Sequence, residues 1–316
     1  MAYVGLCSSF ADHTVYPLEQ FNNRWVLIPN KIPYIMENIC KHRQAIIVDK
    51  PTDFFGSISC PLHGWTYNTN GELLGEPADF FEEKKCLRTK ELYEKFGLLW
   101  SENPQIDWDA IPMRELWNPQ NYVYHNSVVM QNTYNIDYYL EAVLDSYHIP
   151  YVHPGLSNFC DVSTYQQITG TGFAFQSTKL HAQFKSNPSE NYQKFQQHIE
   201  QNYANRWQMA SIWLVLFPNL IIDHYPGTCI VYSIWPTDTG CYTKLDFLYE
   251  DDIAAFDPEF IRLQQACFNE SQDEDDILSL RYQKGRTNLA ECYTHPMESQ
   301  INDYYAQNFY QKFMRL

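Results

Sequence analysis

Two short pairs in the first part of the chain combine a thiol with an imidazole. Cys40-Lys-His42 and Cys60-Pro-Leu-His63 are separated by seventeen intervening residues. Two thiolates and two imidazoles can hold a tetrahedral zinc ion, or a [2Fe–2S] cluster in which two histidines replace two cysteines on one iron. Zinc sites usually set both thiolates on one C-x2-4-C turn; here each loop supplies one ligand of each type, as the asymmetric cluster requires. Further along, Asp145, His148 and His153 form an Asp-x-x-His-x4-His pattern. Two imidazoles and one carboxylate make a facial triad that leaves positions on iron(II) open to dioxygen and substrate, which favours oxygenase chemistry over a closed structural site. The carboxylate of such a triad has to come from elsewhere in the chain.

These side chains need loop tips and a helix end to present them. The first hundred residues read as short strands between turns, with strand-like runs at Arg24–Pro29, Gln44–Asp49 and Gly97–Trp100. Asn70-Gly71, between Trp65–Tyr67 and Glu72–Leu74, is a two-residue hairpin signal. Residues 101–121 carry three prolines between short apolar islands, so the boundary falls there, giving an all-β domain over 1–105 and an α+β domain over 106–316. Beyond it, Tyr122–Gln131 is strand-like, and Leu140, Val143, Leu144 and Tyr147 mark a helix over Tyr138–His148. Asp145 and His148 then share a helix face, and Pro150 stops the helix so that His153 swings back. Strands resume over Tyr165–Phe184 and Trp213–Tyr249, with a polar helix over Ser189–Met209 between them. Asp257-Pro258 reads as N-cap and first position of a helix to about Asn269. Another helix covers Glu274–Gln283, with Gly285 as its C-cap.

Composition narrows the partners. Twenty-two basic against 38 acidic residues give a net charge of −16, which opposes binding to nucleic acid or anionic lipid. The amino terminus lacks a secretory pattern, and the most apolar stretch, Ile212–Ile222, is interrupted by Pro218 and Asn219 and is too short to span a bilayer. Nine scattered cysteines fit reduced thiols in a cytoplasmic protein; Cys7, Cys86, Cys160, Cys229, Cys241, Cys267 and Cys292 read as inert. His125, His181, His198, His224 and His295 have no partner at metal spacing. With no G-x-G-x-x-G after a strand and no P-loop, reducing equivalents must come from a separate protein.

Taken together, C-x-H, seventeen residues, C-x-x-H, then Gly64-Trp-Thr-Tyr67 and the Asn70-Gly71 hairpin, resemble a Rieske domain. The Asp145, His148 and His153 pattern that follows resembles the catalytic half of Rieske non-haem iron oxygenases, the large or α-subunit class of ring-hydroxylating dioxygenases and monooxygenases. The similarity continues through Phe217-Pro-Asn-Leu220 and Glu274–Ile277 to Gln283-Lys-Gly285, nearly the whole chain. It implies a [2Fe–2S] cluster with Cys40 and Cys60 on one iron and His42 and His63 on the other. It also implies a second domain of helix-grip, START-like fold, an antiparallel sheet wrapped around a long helix, with iron(II) held by His148, His153 and an acid of the late segment. Asp275 maps best, with Asp273 and Asp276 as alternatives. Departures are Gln44, where the family often has Gly, a short lead of 39 residues before Cys40, Asn135-Ile-Asp137 in place of Asn-Trp-Lys, and Ala142 in place of Asn.

A ligating histidine donates its other ring N–H to an outer partner. A carboxylate accepting from both His63 and His148 could therefore connect the two centres, and Asp145 is placed for it. In the family this bridge usually crosses between neighbouring subunits, so the resemblance implies a homotrimer that takes electrons from a separate reductase or ferredoxin and uses O2 to hydroxylate, dihydroxylate or oxidatively dealkylate a small organic substrate. Apolar residues of Trp213–Leu220 and Ile230–Trp235 are candidates for its pocket. The competing expectations are a Rieske electron-transfer protein with a non-catalytic second domain and a zinc-stabilised interaction module.

Overall fold

Apolar residues recurring along the first hundred positions close into three small antiparallel sheets in the computed structural model of the protein. The structure describes residues 3–75, 86–145, 148–184, 186–203 and 210–292, in two units, 1–103 and 104–316. In the first unit a five-stranded sheet runs in the order Thr52–Asp53, Thr14–Pro17, Trp25–Ile28, Tyr34–Glu37 and Thr89–Glu91. Its buried Val26, Ile28 and Met36 share a core with Cys40, Cys60, Trp65 and Tyr67. Four strands precede Cys40, so the short lead is still a built scaffold.

Gln44–Asp49 is a loop rather than a strand, apart from one bridge between Ile39 and Ile46. Its backbone groups close the loop locally. Cys40 N–H donates to the Ala45 carbonyl, Val48 N–H donates to Asn38 Oδ1 and Asn38 Nδ2 donates to the Val48 carbonyl, each at 2.8 Å. The hairpin forms between Thr66–Asn68 and Leu73–Gly75, but with a four-residue connection instead of two. Asn68 Oδ1 accepts from the backbone of both Asn70 and Glu72 at 2.9 Å, which holds the longer turn. Gly71 sits there at φ +79°, and a Cβ would come within 2.2 Å of the Leu87 carbonyl oxygen.

In the second unit seven antiparallel strands form one sheet, in the order Val123–Asn132, Gly240–Tyr249, Thr228–Thr237, Leu220–Tyr225, Ala210–Leu216, Phe173–Leu180 and Cys160–Gly170. Its inward face, including Val215, Ile221 and Ile230, packs on Phe195 of the helix Glu190–Tyr203 and on Phe260, Leu263 and Phe268 of the helix Pro258–Cys292. This is the α+β helix-grip arrangement, a sheet around a long helix. Asp257 caps that helix through Phe260 N–H at 2.9 Å.

Two helical expectations change. Pro258–Cys292 is a single 35-residue helix that passes through Gly285. Nothing in residues 270–273 breaks it, and its far end is tied by Gln283 Oε1 accepting from Asn135 N–H at 2.9 Å and by Arg286 pairing with Glu141. The earlier helix spans Ile136–Leu144 only. Asp145 is extended (φ −100°, ψ 112°), His148 stands at the N-cap of a new turn, Ile149–Val152, and Pro150 lies in that first turn. Proline costs no hydrogen bond at a helix start, so it opens a turn here instead of stopping one. Tyr147 and residues 204–209 lie outside the described residues. Among the described residues no helix is long and apolar enough to cross a membrane.

Candidate active site

The two Cys/His loops of the first unit are built alike. Gln44 N–H donates to the Cys40 carbonyl and Gly64 N–H to the Cys60 carbonyl, both at 2.9 Å. Cys60 N–H donates to the Trp65 carbonyl at 2.8 Å, as Cys40 does to Ala45. The fourth residue after each cysteine takes a left-handed backbone, Gln44 at φ +60° and Gly64 at φ +69°. Glycine suits that conformation without a Cβ penalty. Both thiols are buried at the loop bases, while His42 is half-buried and His63 exposed, with ring centroids 4.6 Å apart. Sulfur donors inside and imidazoles outside fit a two-iron cluster with unlike ends. Trp65 stacks on His42 at 5.2 Å. Tyr67 OH lies 3.6 Å from Cys40 Sγ and accepts Lys41 N–H at 3.1 Å. Burial and the neighbouring Cys40 push this phenol well above its ordinary range, so it keeps its proton.

In the second unit His148, His153 and Asp275 bring one donor atom each within 4.8 Å of one another. His148 Nε2 lies 3.0 Å from His153 Nε2, His153 Nε2 lies 3.0 Å from Asp275 Oδ1, and His148 Nε2 lies 3.5 Å from the same oxygen. Donors about 2.0–2.2 Å from a shared ion, at angles near 90–110°, stand about 3.0–3.5 Å apart, so this set fits a metal ion. Asp273 is exposed, and Asp276 accepts from Tyr134 and Gln272 instead. Asp145 Oδ2 lies 3.7 Å from His148 Nδ1, although the two share no helix face.

Glu274 Oε2 stands 2.7 Å from His153 Nδ1, a role the sequence analysis did not give it. Burial pushes the His153 imidazole down, but Asp275 and Glu274 outweigh it and hold it up at about 9. The signal for Glu274 was its place one residue before Asp275. Burial pushes the thiols of Cys7 and Cys160 up to about 11 and that of Cys241 to about 12, as inert thiols require. His198 pairs with Asp257 at 2.8 Å, and His224 is buried beside Tyr122 OH at 3.0 Å.

The three donors and Asp145 open onto one cavity, of about 70 Å³ open to the centres of water molecules. Of the apolar strand residues expected to line it, Trp213 and Tyr232 do so; Leu214–Phe217, Leu220, Ile230, Val231 and Ile234 are buried without lining it. The cavity also receives Asp223, from the run Leu220–Tyr225. An acid inside such an apolar strand was the available sequence signal for it.

A Rieske [2Fe-2S] domain model matches residues 3–80, and the ring hydroxylating alpha subunit (catalytic domain) model matches residues 119–315. A cluster domain followed by a helix-grip domain with a facial triad of donors defines a Rieske oxygenase component, and the chain belongs to the ring-hydroxylating α-subunit family. It is 28% identical to putrescine 2-hydroxylase of Ralstonia nicotianae, over 100% of this chain and 88% of that protein. It is also 28% identical to chlorophyllide a oxygenase of Oryza sativa subsp. japonica, over 48% of this chain and 28% of that protein. Among solved structures a quaternary ammonium Rieske monooxygenase superposes with TM-score 0.72 at 14% identity, covering 99% of this chain and 88% of that one. Dicamba monooxygenase gives 0.63 at 16% identity over 99% and 95%. These superpositions establish the shared fold. The protein is an oxidoreductase with a [2Fe–2S] cluster and iron(II) as cofactors, using dioxygen, a small organic substrate and electrons from a separate donor.

Proposed function

We propose that Cys40 and Cys60 bind one iron of the cluster and His42 and His63 the other, that His148, His153 and Asp275 bind the mononuclear iron(II), and that Asp145 links the centres. The carrying observation is the convergence of two imidazole nitrogens and one carboxylate oxygen, 3.0–3.5 Å apart, on one cavity. Bound there, iron(II) supplies dioxygen chemistry and the cluster supplies electrons to it. Glu274 fixes the ring of His153 from behind, so Nε2 faces the other donors. Asp145 stands where it can accept the Nδ1 proton of His148 while Nε2 is ligated. Its second partner is His63 of a neighbouring subunit in a homotrimer, and the donor of electrons is a reductase or ferredoxin.

Nine scattered cysteines fit work in the cytoplasm, and the net charge of −16 disfavours anionic lipid and nucleic acid as partners. Similarity to putrescine 2-hydroxylase along the whole chain makes hydroxylation of a small aliphatic amine the reaction to test first.

Iron analysis with a visible spectrum tests the reading. The holoenzyme carries about three irons per chain; His148→Ala or His153→Ala lowers this to about two and keeps the cluster colour. Asp145→Asn keeps both centres and nearly abolishes turnover. Full activity in Asp145→Asn would remove the linking role, and a colourless protein would refute the reading altogether.

A further inference from the structure

The inward face of the strand Leu220–Tyr225 presents Ile221, Asp223 and Tyr225, so a carboxylate stands where the pattern calls for an apolar residue. Asp223 is 96% buried, being 4% exposed, and it lines the cavity that holds the metal donors. Its only side-chain hydrogen bonds among the described residues are long ones from Tyr232 OH, 3.4 Å to Oδ1 and 3.3 Å to Oδ2. No Lys, Arg or His pairs with it among the described residues. Several other polar groups on the cavity wall have hydrogen-bond partners of their own. Tyr139 OH donates to Gln272 Oε1 at 2.7 Å, Tyr249 OH to Gln264 Oε1 at 2.9 Å, Tyr165 OH to Gln176 Oε1 at 2.6 Å and Trp213 Nε1 to Tyr225 OH at 3.0 Å. A buried carboxylate without a counter-charge is costly to fold around, and a substrate cation is the partner that removes the cost.

We propose that Asp223 is the anchor for the ammonium group of an aliphatic amine substrate, with Trp213, Tyr225 and Tyr232 walling the charged end of the cavity. Trp213 and Asp223 are directly paired across adjacent strands, and Tyr225 follows on the same face, its ring 6.3 Å from that of Trp213. Aromatic walls are compatible with an organic cation and add attraction where a ring face is presented. Size sets the rest. At roughly 10–15 Å³ per water-sized particle, 70 Å³ holds about five to seven of them, a short unbranched chain rather than a fused ring. Asp223 on the sheet and Asp275 on the long helix line the same space, so one end of such a chain at Asp223 leaves its carbons facing the histidines. Burial pushes the Asp223 carboxyl well above its usual range, only partly offset by Tyr232 OH, and a neighbouring ammonium favours its ionised form.

This inference rests on the proposed oxygenase function, and calorimetry on the anaerobic holoenzyme separates the two. Putrescine, n-butylamine and n-butanol are titrated into wild type and Asp223→Asn, with iron content measured on the same samples. In wild type both amines bind at least about 30-fold more tightly than the alcohol; in Asp223→Asn the amines weaken by about 30-fold or more and the preference disappears. Equal binding of amine and alcohol, no binding of either amine at 10-millimolar order, or amine affinity in Asp223→Asn within about threefold of wild type overturns the assignment. If Asp223→Asn does not fold, Asp223→Ser takes its place in the same comparison. Full iron content without an ammonium preference sinks only this inference. Missing mononuclear iron with Asp223-dependent amine binding sinks only the functional reading.

Discussion

Glu274 offers the sharpest test of how the iron site is held. Its Oε2 lies 2.7 Å from His153 Nδ1, on the edge of the ring opposite the nitrogen that faces Asp275, and its side chain is one-quarter exposed. Removing such an outer partner typically costs about 10- to 100-fold in metal affinity, or about 1.4–2.7 kcal/mol. Glu274→Gln keeps an oxygen acceptor but loses the charge, which partial exposure already screens, so it belongs near the tenfold end. Glu274→Leu removes the acceptor and belongs near the hundredfold end. The assay is anaerobic titration of iron(II) into protein stripped of mononuclear iron but retaining its cluster, against a chelator of known affinity. Iron affinity in Glu274→Leu within about twofold of wild type would refute the orienting role. Loss of cluster absorbance alongside would instead mark general unfolding.

The remaining expectations concern neighbouring acids and two backbone positions. Asp275→Asn lowers iron content by about one per chain while Asp276→Asn, whose carboxylate serves Tyr134 and Gln272, keeps it; the reverse order would move the ligand by one residue. Gln44→Gly relieves a left-handed residue costing about 1–2 kcal/mol, less the extra chain entropy of glycine, so the temperature of cluster bleaching rises by a few degrees, and a fall would show that the Gln44 side chain supports the loop. Gly285→Ala stabilises by about 0.5–1 kcal/mol, because the position is helical and a Cβ there meets nothing within 4 Å; destabilisation in a thermal melt would mean that the helix ends there after all.

The proposed ligands could be picked out in the sequence wherever donor residues lie close together in the chain. Cys40, His42, Cys60 and His63 announce themselves because loop tips fix them within a few residues, and His148 and His153 do so for the same reason. What stayed hidden depends on packing between distant segments. The chain is extended at Asp145 after the helix Ile136–Leu144 and turns again from His148, so the i, i+3 spacing was right in sequence and wrong as a helix face. Gln44–Asp49 has strand-forming residues but lends its backbone to the loop around Cys40. Asp223 could be seen as an oddity in Leu220–Tyr225, yet only the folded sheet, where it pairs with Trp213, puts it on the same cavity as His148, His153 and Asp275.

The acid run Asp273–Asp276 shows why helix continuity matters to chemistry. Successive residues on a helix turn by about 100°, so four adjacent carboxylates point four ways. Here Asp273 faces solvent, Glu274 reaches the outer edge of His153, Asp275 faces both histidines and Asp276 turns to Tyr134. Which acid faces the histidines is a matter of phase. Residues seven apart on a helix differ by only about 20°, so Phe268, which packs in the core and lines the cavity, fixes Asp275 on the same side, and Gln264, eleven residues before Asp275, falls there too. A chain read as two helices with a break before Glu274 has no such phase to carry from the cap at Asp257, and any of the three aspartates could then be the ligand. Read as one helix, the buried stripe of Gln264, Phe268, Gln272 and Asp275 selects a single acid. A one-residue insertion between Phe268 and Asp275 would rotate all four carboxylates by about 100° and, on this reasoning, abolish iron binding while leaving the cluster in place.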